Sequence, residues 1–378
     1  MIRAPTALST AGLALGAVVI AVSTATVQVS AGSASPDSRP AGTTDNAWGW
    51  ATGRHATTVT YLLSSANGAD SRTSQPYVTR QGRGAYLVTF PNSANGRGEA
   101  VIASALTTAD RTCASVDPSI NDAYLAAACV DRAGHRVDTQ FSGVFLAVGD
   151  VGFGHVAYLF DTDPTASDFT PTGVNFNSTF APNEVLHLGT GRWQVVLPGL
   201  GTTGGNVQVN ADDMLAVCRA ASWQSVPAAA PAGIPDQPTP GSETVNVSCR
   251  DFAGQLVDAT FWLTFTDRVS LEGALGTTGA YLVANNPTAA SYRPAAAYRY
   301  SSAAMAPKVT RSGPGKYLVT LPGMPTGGSA VVTPTGTGRS ACALSSIRTD
   351  STPQRIGVHC WRPDGTAIDT TFSLSYVH

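Results

Sequence analysis

The sequence predicts an all-β protein of three tandem β-sandwich domains, either immunoglobulin-like or jelly-roll-like. One pattern of glycine, cysteine, aspartate and phenylalanine recurs three times along the 378 residues. Short segments between these landmarks alternate apolar and polar residues, which is typical of strands with one buried face. Gly, Pro, Asn and Ser interrupt the segments. Sheets that each carry one apolar face are expected to pack face to face.

The first landmark of the repeat is a strand that follows a Gly-x-Gly turn. Apolar residues alternate from Tyr86, from Trp193 and from Tyr317, and each of these segments ends at a proline. A glycine before the strand supplies the positive φ that a tight turn needs. Because Trp193 shares its position with the two tyrosines, all three are predicted core residues.

The second landmark is a cysteine followed nine residues later by an aspartate and then by a phenylalanine. The three sets are Cys129, Asp138 and Phe141; Cys249, Asp258 and Phe261; and Cys360, Asp369 and Phe372. Equivalent cysteines lie 120 and 111 residues apart, which is the size of a domain rather than of a solenoid repeat. We therefore expect domains at residues 47–148, 154–267 and 277–378, named here repeat 1, repeat 2 and repeat 3.

Residues 1–34 have the features of a secretory signal peptide. Arg3 provides a positive start, residues 7–22 are mostly apolar, and small residues allow cleavage after Ala31 or Ala34. Residues 35–46 are rich in Ser, Pro, Gly and Thr and are predicted to be a flexible N-terminus. The alternative, a retained anchor, lacks a positive cluster after the run. The sequence thus predicts a secreted, extracellular protein without a membrane span after signal cleavage.

The six cysteines predict three disulfides, one in each repeat. Six cysteines allow 15 pairings, and the repeat selects one of them. The selected pairs are Cys113–Cys129, Cys218–Cys249 and Cys342–Cys360. An oxidising compartment makes such bridges chemically reasonable. A zinc site is not predicted, because no Cys-x-x-Cys spacing occurs.

Charge and motifs exclude several classes of function. Only 13% of the residues are charged and the net charge is -2, so no basic surface for nucleic acid is indicated.

The repeated aspartate is best interpreted as a turn residue that accepts backbone N–H groups, the alternative being a metal or catalytic carboxylate. Clusters at Asp161, Asp163 and Asp168 and at Asp212 and Asp213 are either solvated loop charges or Ca²⁺ ligands. We predict no catalytic residue, no cofactor site and no metal site.

Two tryptophans are the candidate binding residues. Trp262 alternates out of phase with the core residues Phe261 and Leu263, and Trp361 follows the inward Cys360. Both side chains are therefore predicted to face outward, where aromatic rings stack on sugars or anchor protein partners. The alternative is that a neighbouring domain covers them.

The repeat resembles one found in exported actinobacterial proteins. The resemblance rests on the segment from Tyr317 through Cys342 and Cys360 to Phe372, and it covers essentially the whole mature chain three times. The use of arginine in place of lysine, which occurs only at Lys308 and Lys316, is typical of a high-GC bacterial genome. The resemblance implies tandem Cys-containing β-sandwich repeats and carries over no catalytic residues.

Three functions remain open at this point. The first is a secreted, non-enzymatic multidomain protein that binds an extracellular glycan, a cell-wall polymer or a protein, because three similar units suit multivalent binding. The second is a secreted hydrolase, which predicts a pocket at a domain junction with converging His, Asp or Ser residues. The third is a structural component of the cell envelope.

Overall fold

The computed structural model confirms the all-β class. It describes residues 46–91, 93, 99–116, 124–148, 151, 154–212, 214, 216–227, 241–273 and 277–378. The predicted signal peptide and nearly all of the predicted flexible N-terminus lie outside these residues. Among the described residues, the regular elements are 27 β-strands and one short 3₁₀ helix at Ala296–Tyr298. None of them forms a helix with the length and apolar character needed to cross a bilayer.

Nine strands lie in each repeat. The strands of repeat 1 are β1 (Ala47–Gly53), β2 (Thr60–Leu62), β3 (Gly68–Asp70), β4 (Tyr77–Gly82), β5 (Ala85–Thr89), β6 (Ala100–Leu106), β7 (Arg111–Val116), β8 (Tyr124–Asp131) and β9 (Gln140–Ala147). The strands of repeat 2 are β10 (His155–Asp161), β11 (Asp168–Phe169), β12 (Asn175–Asn177), β13 (Glu184–Gly189), β14 (Arg192–Leu197), β15 (Asn206–Ala211), β16 (Val217–Val226), β17 (Ser242–Arg250) and β18 (Phe261–Asp267). The strands of repeat 3 are β19 (Gly279–Ala284), β20 (Ser291–Tyr292), β21 (Arg299–Ser301), β22 (Lys308–Gly313), β23 (Lys316–Leu321), β24 (Ser329–Pro334), β25 (Ala341–Ile347), β26 (Gln354–Trp361) and β27 (Phe372–Val377).

Each repeat arranges its strands into a four-stranded and a five-stranded antiparallel sheet. The four-stranded sheets have the orders β3-β1-β9-β6, β12-β10-β18-β15 and β21-β19-β27-β24. The five-stranded sheets have the orders β2-β4-β5-β8-β7, β11-β13-β14-β17-β16 and β20-β22-β23-β26-β25. Apolar residues of both sheets form one core cluster in repeat 2 and one in repeat 3, as expected for sandwich-like pairs.

The five-stranded sheets have one buried face. In β23, Tyr317, Val319 and Leu321 are buried while the residues between them are partly or fully exposed. β5 and β14 show the same alternation, and Tyr86 and Trp193 are buried at the equivalent position. The sequence therefore predicted the inward face of these strands correctly.

The four-stranded sheets are buried on both faces. Every residue of β18, β24 and β27 is buried, including the polar residues that alternate with the core side chains. Ser142 and Ser329 of different repeats, for example, place their Oγ atoms 2.8 Å apart in a buried hydrogen bond. Hydrogen-bonded polar residues on these outer faces thus join the repeats.

The repeats contact one another in a closed cycle. β25 of repeat 3 joins β6 of repeat 1 through the Leu344–Leu106 pair, which merges two sheets into one of nine strands. Ala220 of β16 in repeat 2 forms an isolated parallel bridge with Thr335, the residue after β24 in repeat 3. The cycle closes where the Asn210 Oδ1 of β15 accepts the Ser115 N–H of β7 at 2.7 Å. The described residues consequently form one compact unit, and the three separate domains stay a prediction.

Candidate functional site at the junction of the repeats

The three predicted disulfides are confirmed. Each bridge joins two neighbouring strands of a five-stranded sheet, and no described cysteine is free. The bridged pairs are Cys113–Cys129, Cys218–Cys249 and Cys342–Cys360. The first cysteine of each pair also lines a small cavity where the three repeats meet, which is separate from the charged cavity described below. The bridges therefore fix the walls of the junction as well as the cores.

The repeated aspartates are turn residues, as the favoured interpretation predicts. Each accepts the backbone N–H of the second glycine in its own Gly-x-Gly turn. The N···Oδ1 distances are 2.8 Å for Gly84–Asp138, 2.6 Å for Gly191–Asp258 and 2.9 Å for Gly315–Asp369. Each of these glycines has a positive φ, and a Cβ there would meet a carbonyl oxygen of the neighbouring strand within 3 Å. The turn geometry therefore explains why a glycine and an aspartate recur at these positions in all three repeats.

In repeats 1 and 3 an arginine completes the turn. The Arg311 Nε and Nη2 atoms donate to the two carboxylate oxygens of Asp369 at 2.9 and 2.8 Å, and Arg80 does the same to Asp138. The hydrogen bonds from Arg311 and from the Gly315 backbone lower the pKa of Asp369. These carboxylates are occupied by structural bonds, which accounts for their recurrence.

Repeat 2 replaces this arginine with a histidine. The His187 Nε2 lies 3.0 Å from the Asp258 Oδ1, and the ring packs against Trp193. Asp161, which is fully buried, lies near His187, and burial raises the pKa of Asp161 to about 7. Its Oδ2 has no hydrogen-bond partner among the described residues. This group lies inside repeat 2 and not at a junction between repeats.

The prediction that Trp262 faces solvent is wrong. The side chain does point away from the core of its own sandwich, but only 2% of it is exposed. The ring stacks on Phe160 with centroids 4.3 Å apart, and its Nε1 donates to the Asp212 Oδ1 at 3.2 Å. Trp262 belongs to the large apolar cluster that includes the core of repeat 1. The alternative, coverage by a neighbouring unit, describes its position.

The prediction that Trp361 faces solvent is also wrong. Only 3% of its side chain is exposed, and it belongs to the same cluster as the core of repeat 1. Its ring stacks on His359 with centroids 4.7 Å apart, and the His359 Nε2 lies 3.1 Å from the Ala109 carbonyl oxygen of repeat 1. With 2% and 3% exposure the two tryptophans form no exposed stacking platform, although Trp361 lines the cavity described next.

Charged side chains of all three repeats converge at one cavity beside the cycle of contacts, named here the junction cavity. It has a volume of about 30 Å³. Its charged lining residues are Asp110, Asp131 and Arg132 of repeat 1, Arg219, Arg250 and Asp251 of repeat 2, and Arg339 of repeat 3. Four arginines therefore face three aspartates.

Arg219 is the most unusual residue of the cavity. Only 1% of it is exposed, and its Nη2 and Nη1 donate to the backbone carbonyls of Ser340 and Gly336 in repeat 3. Its buried Nε has no hydrogen-bond partner among the described residues. Burying a guanidinium without an acidic partner is costly, so such a group is normally compensated.

Arg250 and Arg339 extend this positive charge toward the surface. We call Arg219, Arg250 and Arg339 the arginine cluster. Arg250 donates from Nη1 to the Gly254 carbonyl at 2.9 Å, and its own buried Nε is also without a partner among the described residues. Within the described chain, no member of the cluster lies within 4.0 Å of an acidic oxygen. Burial and the neighbouring Arg250 charge lower the pKa of Arg219 to about 10, which indicates repulsion within the cluster.

Two of the three aspartates of the cavity are engaged by their own turns, and the third, Asp110, has its Oδ1 4.0 Å from the His359 Nε2. The Asp131 Oδ1 accepts the backbone N–H groups of Ala133 and His135 at 2.9 and 3.0 Å. The Asp251 Oδ1 accepts the Gln255 N–H at 2.8 Å in the equivalent turn of repeat 2. These carboxylates therefore stabilise hairpin turns and leave the arginine cluster without a direct counter-ion.

An open groove of about 560 Å³ adjoins the junction cavity between repeats 2 and 3. Arg339, Ser340 and Pro363 line both spaces, so the two lie side by side. The groove adds Arg362, Asp364 and Asp369 as charged residues at its wall. Its volume lies in the range of small-molecule sites, about 300–1,000 Å³.

The described residues contain no group of three or more His, Cys, Asp or Glu side chains that could hold a metal ion. Comparisons with protein-family models, with curated proteins and with solved structures found no match for this chain.

Sequence reasoning missed the arginine cluster, although a signal for it was present. Arg219 stands where the other repeats have Ala114 and Ala343, and Arg250 stands where they have Val130 and Trp361. Packing does not require an arginine at a position that is apolar in both other repeats. The replacement indicates a special role only when the structure shows that a neighbouring repeat covers the position.

Proposed function

We propose that this protein is a secreted, non-enzymatic binding protein that holds an anionic ligand at the junction of its repeats. The observation that carries the proposal is the arginine cluster, in which Arg219 is buried with an unpaired Nε and no acidic partner among the described residues. A bound anion would supply the missing charge and hydrogen-bond acceptors. The three disulfides and the predicted signal peptide support an extracellular location.

The position of the site favours one composite site over three equivalent ones. The cavity takes lining residues from all three repeats, and the arginines at its centre occur only in repeats 2 and 3. Multivalent binding needs several similar sites that reach one target. We therefore replace the expectation of three weak sites with one site for each chain.

The hydrolase alternative requires a nucleophile and a base that converge on the groove. The junction instead gathers arginines, which bind anions and do not act as bases near neutral pH. No histidine of the described residues lines either space, and His359, which stacks on the lining residue Trp361, directs its Nε2 at the Ala109 carbonyl, so that nitrogen donates a proton. This arrangement supports binding rather than turnover.

The test compares binding with turnover in the mature chain from residue 35. Anionic and neutral extracellular glycans of matched length are each titrated at low and at high salt, and ester, peptide and glycan substrates are assayed in parallel. We expect salt-sensitive binding of at least one anionic ligand, no binding of its neutral counterpart and no turnover. Absence of binding to every anionic ligand contradicts the proposal, as does turnover that is lost in His359→Ala or His187→Ala.

A further inference from the structure

We propose that the junction cavity binds a phosphate or sulfate group, and that the adjoining groove holds the remainder of the molecule that carries it. This inference rests on the proposed function and names the chemical class of the ligand. Its four supports are the unpaired donors, the charge of the cavity, its size and its position beside the groove.

The unpaired donors point to an oxyanion. Arg219 is anchored by two backbone carbonyls of repeat 3, and its buried Nε–H has no partner among the described residues. Arg250 is held by one carbonyl, that of Gly254, and its buried Nε–H also has no partner among these residues. Both side chains line the cavity and come from neighbouring strands, so an anion with several acceptor oxygens would meet two guanidinium groups that are already positioned.

The charge of the cavity favours an anion. Its four arginines exceed its three aspartates by one, and the Oδ1 atoms of Asp131 and Asp251 already accept backbone N–H groups. Arg219, Arg250 and Arg339 have no acidic partner within 4.0 Å among the described residues. A phosphate or sulfate group offers at least three acceptor oxygens, which suits several arginines better than the two oxygens of a carboxylate.

The size of the cavity excludes a larger group. One water molecule needs a cavity volume of about 10–15 Å³, measured in the same way as the volume of the junction cavity. The cavity of about 30 Å³ therefore admits a compact group and not a sugar ring. The adjoining groove of about 560 Å³ has room for the organic part of an ester. Arg339 lines both spaces, which places it where a phosphate or sulfate ester would pass from one into the other.

The first experiment measures binding of simple anions to the full mature chain with its disulfides intact. Inorganic phosphate, inorganic sulfate, acetate and chloride are titrated at constant ionic strength by calorimetry and by thermal unfolding. We expect phosphate or sulfate to bind and to raise Tm in a concentration-dependent manner, because a ligand of the native state stabilises it by mass action. Acetate and chloride should produce no saturable effect.

The variants Arg250→Gln and Arg339→Gln locate the site. Each should weaken phosphate or sulfate binding by about tenfold or more. Arg355→Gln is the matched control, because Arg355 is an exposed arginine of β26 outside the cavity, and its affinity should equal that of the wild type. These two cavity positions are half-buried or exposed, so the variants are expected to fold, and the unliganded Tm of each checks this.

A sugar phosphate and its parent sugar then test the groove. We expect the ester to bind more tightly than inorganic phosphate and the parent sugar not to bind. Equal affinities for the ester and the free ion overturn the role of the groove. Acetate binding as well as phosphate overturns the choice of ligand class and leaves the proposed function standing. Unchanged phosphate affinity in both cavity variants overturns the site itself.

Discussion

At the scale of single residues, the carboxyl groups of Asp369 and Asp161 favour opposite protonation states in the folded protein. Asp369 joins a turn to a strand through Gly315 and Arg311, so its charged form is stabilised. Asp161 lies within the core of repeat 2 with one oxygen unpaired, so its neutral form is favoured. The surroundings of each carboxylate decide which protonation state supports the fold.

Replacing Asp369 with asparagine should destabilise the protein by about 1–3 kcal/mol at pH 7, because the bidentate bond to Arg311 is lost. The pKa of Asp369 is lowered in the folded state. Its contribution is therefore present above the unfolded pKa of about 3.9 and is lost as the pH falls through the lower folded pKa. Urea unfolding of the wild type and Asp369→Asn at pH 7 and pH 3 measures both effects.

The control for that experiment is Asp350→Asn. Asp350 also pairs with an arginine, Arg348, but the pair lies on the surface with the aspartate side chain 67% exposed. Exposed pairs contribute little because solvent screens them, so we expect no measurable change in the free energy of unfolding. Equal losses in the two variants would contradict a structural role for the repeated aspartate.

Asp161→Asn should stabilise the protein increasingly as the pH rises. Burial, and to a lesser degree the Asp163 charge, raise the pKa of Asp161 to about 7, whereas His187 nearby acts in the opposite direction. Between the unfolded pKa of about 3.9 and pH 7 the folded state binds more protons than the unfolded state, so stability falls as the pH rises through this range. Asparagine stays neutral throughout. We expect its Tm advantage over the wild type to be several degrees larger at pH 8 than at pH 5, as scanning calorimetry would measure; an advantage independent of pH would contradict this account.

At the scale of strands, the alternation of apolar and polar residues identifies the face that packs in the core. It does not say whether the other face meets solvent or another repeat. The outward residues of β23 meet solvent, at least in part, whereas those of β18 and β24 meet another repeat. Ser329 and Thr333 of β24 hydrogen-bond across the junction, as Thr333 does with Gln208 at 2.8 Å, whereas the Thr264 and Thr266 hydroxyls of β18 are buried without a partner among the described residues. The same polar-apolar pattern therefore supports two different environments.

Trp262→Ala should cost about 3–5 kcal/mol of stability, because it removes a large buried side chain and leaves a cavity beside Phe160. Trp262→Phe should retain part of this packing while losing the hydrogen bond to Asp212. Phe180→Ala is the control, because Phe180 is 82% exposed, and its effect should be within about 0.5 kcal/mol. Denaturant titration measures all three, and a neutral Trp262→Ala would contradict the buried position.

At the scale of the whole molecule, the three repeats depend on one another. β24 of repeat 3 covers β6 and β9 of repeat 1, and Trp361 of repeat 3 packs into the cluster of repeat 1. The Thr52 Oγ1 donates to the Gly328 carbonyl at 2.8 Å, and the Val332 N–H donates to the Ser104 Oγ at 3.0 Å. Removing one repeat would leave these apolar faces and polar groups uncovered.

The mature chain should therefore unfold in one cooperative transition in scanning calorimetry. A shortened chain of residues 35–273, which lacks repeat 3, should show exposed apolar surface by dye binding and no such transition. Two or three separate transitions in the full chain, or a shortened chain with native-like unfolding, would instead support independent domains.

The sequence by itself determined the strands, the turns and the disulfides. These features depend on short-range chemistry: alternation within a strand, a positive φ at Gly84, Gly191 and Gly315, and cysteine spacing that repeats with the fold. The tertiary structure alone decided what covers the outer faces, because a strand's alternation records its own sheet and contains no information about a neighbour some 100 residues away. The burial of Trp262 and Trp361 and the convergence of Arg219, Arg250 and Arg339 both follow from the closed cycle of contacts between repeats.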